Sequence, residues 1–204
     1  MKIVGFGYRK GVGKDFCTDY LVRKYGFRRI SFADPLKHAL EAIFGFSHEQ
    51  LYGDQKEAID PHWNFSTRWA MQRVGTETMR EFFGALCVQA GFWPSDEINN
   101  IWVKAAVRYL RKLREEGVDL VAFSDVRFLN EFQVLRKEGA ALVKIIRPPE
   151  LLDDPTQSTH ASEAELDDLP DMEWDLVLRN IGDDYIEVLD SLMTHLEIPP
   201  VLDR

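Results

Sequence analysis

The sequence predicts an α/β protein: a three-layer sandwich in which a five-stranded parallel sheet is covered by helices on both faces. Five short apolar runs do not alternate with polar residues, which is typical of strands buried on both sides. Helical patterns separate these runs, and this order favours a parallel sheet. The chain has 204 residues, so we expect a single domain over residues 1–204 with an insertion.

The first part of the chain begins with strand, loop and helix. Residues 2–7 form a β-branched and aromatic run that ends in glycine, which predicts the first strand. Helical spacing of apolar residues predicts a helix over 15–25, and residues 27–32 are predicted as the second strand. Asp34 is a candidate N-cap for the next helix, with Pro35 at its first position.

The middle of the chain, about residues 46–100, mixes aromatic and polar residues without a strong strand, so we predict a helical insertion. A basic amphipathic helix is predicted over 101–115. Further strands are predicted over 118–123, 141–146 and 174–178, and further helices over 130–137 and 183–196. About residues 148–171, the chain is acidic and rich in proline, which predicts an exposed, lid-like loop.

Composition limits the kinds of partner and compartment. The formal net charge of −9 argues against a broad nucleic-acid surface, because binding a polyanion requires a basic stripe. No stretch approaches the roughly 20 apolar residues that cross a bilayer, and the N-terminus is unlike a signal peptide. Cys17 and Cys87 have apolar neighbours, which predicts reduced, buried thiols. We expect a cytoplasmic protein that binds neither nucleic acid nor membranes, and the aromatic insertion leaves room for a homodimer.

A glycine-rich turn, residues 8–15, lies between the first predicted strand and the first predicted helix, as a phosphate-binding loop requires. Gly11 and Gly13 allow backbone N–H groups to surround phosphate oxygens, and the helix N-terminus adds partial positive charge. Lys14 is predicted to reach the β- and γ-phosphates from outside the core. The loop residues assigned to nucleotide binding are Arg9, Lys10, Gly11, Val12, Gly13, Lys14 and Asp15. The alternative is a glycine-rich turn with a surface lysine.

Two residues of this loop depart from the standard pattern. Tyr8 stands where a glycine is expected before Gly13, and Gly7 lies one place earlier, which allows a loop one residue longer than usual. Asp15 replaces the serine or threonine whose hydroxyl meets magnesium. Its carboxylate is predicted either to hold the metal, directly or through water, or to cap the helix.

Residues that follow the predicted strands are further candidates, because ligands of parallel sheets bind at the carboxyl ends of strands. Asp125 comes at such an end, where a carboxylate can hold magnesium, although a helix N-cap is the alternative. Arg127 is placed either to reach a phosphate or to form a salt bridge to Asp125 or Glu131. Arg147 and Asn180 also follow strands and are assigned to nucleotide binding.

Arginines in the predicted insertion are candidates for gripping an acceptor phosphate, because a guanidinium group forks onto phosphate oxygens. They are Arg68, Arg73 and Arg80. Ser66 and Thr76 are candidate helix caps, with Gly75 as a break between the helices. Gln72 offers paired hydrogen bonds to a base edge. An exposed side chain without a function is the alternative for each arginine and for Gln72.

Short motifs follow one another over most of the chain. They are Gly13-Lys14-Asp15, Phe32-Ala33-Asp34-Pro35-Leu36-Lys37, Gln72 with Gly75-Thr76-Glu77 and Arg80, Trp102, Ser124-Asp125-Val126-Arg127-Phe128 with Asn130-Glu131, Arg147-Pro148, His160 with Ser162-Glu163, and Asn180. In this order they resemble the phage-type deoxynucleoside monophosphate kinases, a branch of the P-loop nucleotide kinases. The resemblance implies ATP-dependent phosphorylation of a deoxynucleoside monophosphate with magnesium, in the host cytoplasm if the chain is phage-encoded.

The resemblance also suggests roles for single residues. The candidate catalytic residues are Lys14, Arg127 and Asp125, and the candidate metal ligands are Asp15 and Asp125. The candidate acceptor-binding residues are Asp34, Lys37, Arg68, Gln72, Thr76, Arg80, Trp102, His160 and Glu163. Trp63, Trp69, Trp93 and Trp102 crowd the insertion, where one of them is a candidate for stacking on a base and core packing is favoured for most. His160 and Glu163 are predicted to close over phosphates as part of a lid, with a helix-capping box as the alternative.

Two other functions compete with this prediction. The same architecture serves kinases of other small phosphorylated metabolites. A nucleotide-binding switch that has no acceptor is the second alternative, although it gives the arginines of the insertion no role.

Overall fold

Five parallel strands form one sheet in the computed structural model, which describes residues 1–9, 11–148, 165–179 and 185–201. The strands are β1 (Lys2–Gly7), β2 (Arg28–Ile30), β3 (Leu120–Val126), β4 (Ala141–Ile146) and β5 (Leu176–Arg179). Their order in the sheet is β2-β3-β1-β4-β5, and every pairing is parallel. The predicted five-stranded parallel sheet is therefore confirmed, and β1 is its central strand.

Helices precede and follow these strands in the predicted alternation. They are α1 (Lys14–Tyr25), α2 (Asp34–Phe44), α3 (His48–Tyr52), α4 (Thr67–Gln72), a π-helix (Arg73–Phe83), α5 (Gly84–Gln89), α6 (Ile101–Glu115), α7 (Leu129–Lys137) and α8 (Tyr185–His195), with 3-10 turns at Gln55–Glu57, Ser95–Glu97 and Asp171–Glu173. Most predicted bounds are correct to within three residues. Strand β3 extends to Val126, so Asp125 lies within the strand and not after it.

The sheet is covered on both faces, which explains why its strands are apolar without alternation. Helices α1 and α8 pack on one face, where the buried cluster includes Val4, Phe6, Cys17, Leu21, Ala122, Val143, Ile145, Leu189 and Met193. Helix α7 packs on the other face. A Cβ atom added to Gly5 of β1 would lie 3.1 Å from Leu135 Cδ1 of this helix and 2.8 Å from Leu142 Cδ2 of β4.

The chain divides into two compact units, and the sheet belongs to the first. This unit comprises Met1–Ser31 and Tyr109–Arg204, while the second comprises Phe32–Arg108. The second unit contains the predicted insertion and also takes in α2. Its own core is formed by Leu36, Leu40, Phe46, Leu51 and Ala70.

Within the second unit, helix α4, the π-helix and α5 follow one another without interruption from Thr67 to Gln89. Ser66 caps α4, because its Oγ accepts a hydrogen bond from the backbone N–H of Trp69 at 3.2 Å. The prediction that Gly75 breaks the helix and Thr76 caps a new one is wrong, since both lie inside the π-helix. A Cβ atom on Gly75 would lie 2.5 Å from Leu36 Cδ2, so the glycine serves close packing against α2.

The start of α2 differs from the prediction by one residue. Ala33 is the N-cap, and Asp34 is the first residue of the helix, with Pro35 behind it. No side chain caps this end. Asp34 instead places a negative charge in the first turn, where the helix dipole favours it.

Over the part of the chain that the structure describes, none of the helices combines the length and the apolar composition needed to cross a bilayer. Cys17 and Cys87 are both free thiols with buried side chains, as predicted. Burial raises the pKa of the Cys17 thiol to about 12, because the interior disfavours the thiolate.

We expect the Cys17 thiol to be unreactive in the native protein, because thiol reagents attack the thiolate. In a Cys87→Ser variant, Ellman's reagent at pH 8 should leave Cys17 unmodified until the protein is unfolded in guanidinium chloride. Release of one equivalent of thionitrobenzoate within minutes from the native variant would contradict the burial of this side chain.

Candidate active site

The turn between β1 and α1 surrounds the ammonium group of Lys14. This side chain is only 6% exposed, and its Nζ donates hydrogen bonds to the backbone carbonyls of Tyr8, at 2.9 Å, and of Arg9. Gly13 precedes α1 with a φ of 105°, and its carbonyl accepts the first helical hydrogen bond from Cys17 N at 3.1 Å. The alternative of a glycine-rich turn with a surface lysine is therefore wrong. The loop itself buries the cation, because two carbonyls satisfy it.

Tyr8 occupies the position of the missing glycine and takes up a glycine-like conformation, with a φ of 96°. Gly7 is the last residue of β1, so the turn begins at Tyr8. Gly7 is needed for packing, because a Cβ atom there would lie 2.5 Å from the Trp174 ring. The backbone N–H of Tyr8 donates to the carbonyl of Val126 at 3.3 Å, which ties the start of the loop to β3.

Charged side chains surround the Tyr8 ring. Lys144 Nζ lies 4.6 Å from the ring centroid, and the guanidinium carbon of Arg9 lies 5.7 Å from it. Arg9 forms an ion pair with Asp167, Nη2 to Oδ2, at 2.6 Å. The hydrogen bond from Arg9 lowers the pKa of Asp167, while burial and the Asp167 carboxylate raise the pKa of Tyr8.

Asp15, the residue in place of the usual serine or threonine, does not cap α1. No side chain caps that helix end, and the Asp15 carboxylate pairs with Arg29 of β2. Arg29 also binds Asp19 on the next turn of α1, Nη1 to Oδ1, at 2.7 Å. The capping alternative is therefore wrong. The side chain of Asp15 is 77% exposed, so a carboxylate at the start of α1 remains within reach of solvent.

Asp125 lies at an irregularity of β3. Gly5 pairs with Phe123 and Gly7 with Val126, so β3 carries one more residue than β1 between these pairs. Such bulges redirect side chains and are common beside active sites. Asp125 Oδ2 accepts a hydrogen bond from Ser31 Oγ at 2.5 Å. The N-cap alternative for Asp125 is wrong, because the N-cap of α7 is Phe128.

Glu131 organises the turn that carries Arg127. Its side chain is 2% exposed, and its Oε2 accepts hydrogen bonds from the backbone N–H groups of Arg127, at 3.0 Å, and Phe128, at 3.2 Å. The sequence predicts Glu131 as a salt-bridge partner of Arg127 and as part of a shared motif, but not as an acceptor of backbone hydrogen bonds. A glutamate three residues after a helix N-cap is the signal that could have revealed this role.

Arg147 approaches the loop from the end of β4. Its Nη1 donates to the carbonyl of Gly11 at 3.4 Å, so this predicted nucleotide-binding residue does lie beside the loop. The structure thus brings together Arg9, Lys14 and Arg147 around one turn of a chain with a net charge of −9. Lys10, Asn180, His160 and Glu163, and most of the predicted lid, lie outside the described residues.

In the second unit, Lys37 and Asp34 share the first turn of α2. Lys37 Nζ lies 4.0 Å from the centroid of the Tyr52 ring, a cation–π contact. Burial raises the pKa of Tyr52, and the carboxylates of Asp34 and Glu41 add to the effect. The sequence does not predict the contact with Tyr52, because Lys37 and Tyr52 lie in different helices and form no short-range pattern.

Arg80 is the predicted acceptor-binding residue that the structure distinguishes most clearly. It is 7% exposed and lies in the π-helix, a rare conformation that is frequent at functional sites. The alternative of an exposed arginine is therefore wrong for Arg80. Gln72 is exposed and Thr76 is half-buried. Arg68 Nε pairs with Glu57 at 2.9 Å.

Trp102 is held by a hydrogen bond to the π-helix. Its Nε1 donates to the carbonyl of Gly75 at 3.0 Å, and its ring packs against the core of the second unit. The core-packing alternative is correct for this ring. The hydrogen bond fixes the edge of the indole and not its faces.

A central strand, a glycine-rich loop around a buried lysine and a covered parallel sheet together define the P-loop fold of nucleotide-binding proteins. The fold is similar to that of an unliganded sugar kinase from Janibacter sp. HTCC2649, with a TM-score of 0.53 and 15% sequence identity, over 97% of this chain and 95% of that chain. No protein-family profile matches the sequence.

A relative defines the family more narrowly. The chain is 36% identical, over 183 residues, to a protein of Acanthamoeba polyphaga mimivirus named "Putative deoxynucleotide monophosphate kinase", and the match covers 88% of this chain and 89% of the relative. The chain therefore belongs to the deoxynucleotide monophosphate kinase family, and it is an enzyme of the kinase class. The resemblance based on short motifs is confirmed.

We expect Glu131→Ala to destabilise the protein, because it removes the acceptor that two backbone N–H groups share. The free energy of unfolding should fall by about 1–3 kcal/mol, measured by circular dichroism in urea. Glu131→Gln keeps one acceptor oxygen and should lose less. Equal stability of the alanine variant and the unmodified protein would show that other groups organise this turn.

Proposed function

We propose that the protein transfers the γ-phosphoryl group of ATP to a deoxynucleoside monophosphate in the presence of magnesium, giving ADP and the deoxynucleoside diphosphate. The observation that carries the proposal is the Lys14 ammonium, buried by the carbonyls of Tyr8 and Arg9 at the start of α1. Membership of the deoxynucleotide monophosphate kinase family supports the choice of acceptor.

The donor site is assigned to the loop and its neighbours. Backbone N–H groups of Gly11, Val12 and Gly13 would bind phosphate oxygens at the positive end of the α1 dipole. Lys14 would leave its two carbonyls to meet the β- and γ-phosphates, and Arg9 and Arg147 would add charge at the rim of the loop. Lys10 and Asn180 stay predictions of the sequence. This concentration of cations offsets the repulsion that a chain of net charge −9 would otherwise exert on ATP.

Magnesium is assigned to Asp125, with Asp15 as a second candidate. The donor set fits, because magnesium in kinases takes one or two carboxylates and fills its remaining positions with water and phosphate oxygens. Asp125 lies at a bulge with its orientation set by Ser31. To bind the ion, the Asp15 carboxylate would first have to release Arg29, with which it forms an ion pair. When bound, the ion neutralises charge that develops on the phosphate oxygens.

The chemistry that the chain itself supplies is positioning and charge. Phosphoryl transfer spreads negative charge over the oxygens of the transferring group, so fixed cations accelerate it. Lys14 is assigned to bind the transferring phosphoryl group. Arg127, in the turn after β3, is assigned to stabilise the negative charge that develops on the same group. Glu131 holds the Arg127 backbone in place through its two hydrogen bonds, which limits the reorganisation that the arginine requires.

Acceptor binding is assigned to the second unit. Arg80 is the proposed grip for the acceptor phosphate, because a buried guanidinium group binds two oxygens of one phosphate with little competition from water. Lys37 and Asp34, in the first turn of α2, are assigned to the same acceptor site. Lys37 supplies a positive charge there, and Asp34 supplies a hydrogen-bond acceptor. The remaining candidates are Arg68, Arg73, Gln72 and Thr76, while Trp102 packs against the core of this unit. His160 and Glu163 stay predictions of the sequence.

An acceptor screen tests this function. The protein is mixed with ATP, magnesium and each of the deoxynucleoside monophosphates in turn, and ADP is measured with a coupled assay. We expect turnover with at least one of them. A parallel series of phosphorylated sugars tests the alternative acceptor class. ADP formation with none of the nucleotides would contradict the proposal, and binding of ATP without any acceptor would favour a nucleotide switch.

Lys14→Met should abolish most of the transfer, because the variant keeps the buried volume and loses the charge. We expect kcat to fall by at least about 100-fold, as for removal of one oriented group that stabilises the transition state. Lys112→Met, at a side chain of α6 that is 66% exposed, is the control and should retain activity. A Lys14→Met variant with nearly normal kcat would refute the role of this lysine.

Arg80→Ala should weaken binding of the monophosphate and leave donor binding almost unchanged. We expect the KM for the acceptor to rise about 10- to 100-fold, since a charge-assisted hydrogen bond contributes about 1.5–3 kcal/mol. Arg108→Ala is the matched control, because this arginine of α6 in the same unit is exposed and is not a candidate for the site. If Arg80→Ala leaves the acceptor KM unchanged, the phosphate grip lies elsewhere.

A further inference from the structure

Lys144 is a buried cation that the proposed reaction does not use. It lies in β4, beside Gly7 of β1 and Val177 of β5, and only 6% of it is exposed. Its Nζ binds Asp171 Oδ1 at 2.7 Å, and the same Nζ lies 4.6 Å from the centroid of the Tyr8 ring. A lysine is seldom buried in a strand unless its charge is satisfied, and here a carboxylate and an aromatic face satisfy it together.

The Tyr8 side chain needs a contact that holds it, because the Tyr8 backbone adopts an unfavourable conformation. A φ of 96° lies in a region that glycine enters freely and a tyrosine enters only at a cost. Such conformations persist where surrounding contacts enforce them. The contacts on Tyr8 include the hydrogen bond from Tyr8 N to Val126, the bond from Lys14 to the Tyr8 carbonyl, and two cations beside the ring, Lys144 at 4.6 Å and Arg9 at 5.7 Å. Lys144 is the nearer of the two cations and the buried one.

The Tyr8 conformation determines where its carbonyl points, and this carbonyl binds the Lys14 ammonium at 2.9 Å. If Tyr8 relaxed to a negative φ, the peptide that follows it would rotate, and Lys14 would lose one of its two carbonyl partners. The contact between Lys144 and the ring therefore acts on the phosphate loop through the Tyr8 backbone.

We propose that Lys144 is a positioning residue of the donor site: it holds the Tyr8 ring so that tyrosine keeps the backbone conformation usually supplied by glycine. Asp171 keeps the Lys144 ammonium in place, and Lys144 itself does not touch the nucleotide. The chain thus combines a non-glycine residue at the start of the loop with a buried cation that compensates for it. This inference rests on the proposed use of ATP as the donor.

A double-mutant cycle between Tyr8 and Lys144 tests the proposal. The variants are Lys144→Met, Tyr8→Gly and the combination, and the Kd for ATP with magnesium is measured by calorimetry. In the unmodified background, Lys144→Met should raise the Kd about tenfold, the effect of losing one desolvated cation–π contact. In the Tyr8→Gly background the same change should raise it less than about threefold, because glycine needs no support.

Lys144→Arg separates positioning from mere filling of the interior. Arginine keeps the positive charge and stacks on aromatic rings. The Lys144→Arg variant should therefore bind ATP more tightly than Lys144→Met, with a Kd closer to that of the unmodified protein. Equal loss of ATP affinity on Lys144→Met in both backgrounds would overturn the proposal, since it would assign Lys144 a structural role independent of Tyr8.

The free energy of unfolding without nucleotide gives a second readout over the same four proteins. We expect the effects of the two single changes to be non-additive, because the side chains are in contact. Additive effects would overturn the proposal whatever the ATP titrations give. If the unmodified protein fails to bind ATP, the proposed donor is wrong, and the unfolding cycle alone then decides whether Lys144 supports Tyr8.

Discussion

The hydrogen bonds of the Lys14 ammonium to the carbonyls of Tyr8 and Arg9 determine the arrangement of the loop. A buried cation is stable only where oxygen atoms replace its hydration shell, so the carbonyls must converge on one point. That convergence requires the positive φ of Tyr8 and a helix that begins at Lys14. It also requires β1 in the middle of the sheet, because β3 anchors Tyr8 N from one side and β4 supplies Lys144 from the other.

The sequence predicts those parts of the structure that depend on local patterns. Strands buried on both faces require continuous apolar runs, so all five strands could be located before the structure. The loop could be found because its residues must bind phosphate through backbone N–H groups and one lysine. The cap at Ser66 likewise depends only on residues within one turn. Predictions fail at Gly75, where a glycine near a predicted cap suggests a break but the residue permits close packing against Leu36 instead.

Contacts between distant segments explain the features that the sequence does not predict. The bulge at Asp125 depends on how β3 pairs with β1, and no residue of β3 alone indicates it. The burial of Arg80 inside the π-helix is not indicated by the polar residues beside it, although the shared motif selects this arginine as a candidate. Lys144 interrupts an apolar strand, and Asp171, which satisfies it, lies 27 positions further along the chain. Each case requires the tertiary fold to bring two segments together.

The cations beside the loop differ in how easily they can change partner. Arg9 is 54% exposed and Asp167 is 26% exposed, and pairs near the surface contribute at most about 1 kcal/mol. Arg9 can therefore exchange its carboxylate for another anion with little loss. Lys144 is 7% exposed at its side chain, and breaking its contacts would leave an uncompensated charge in the interior. The same turn thus combines Arg9, which can change its partner at the rim, with Lys144, whose partners are fixed beneath Tyr8.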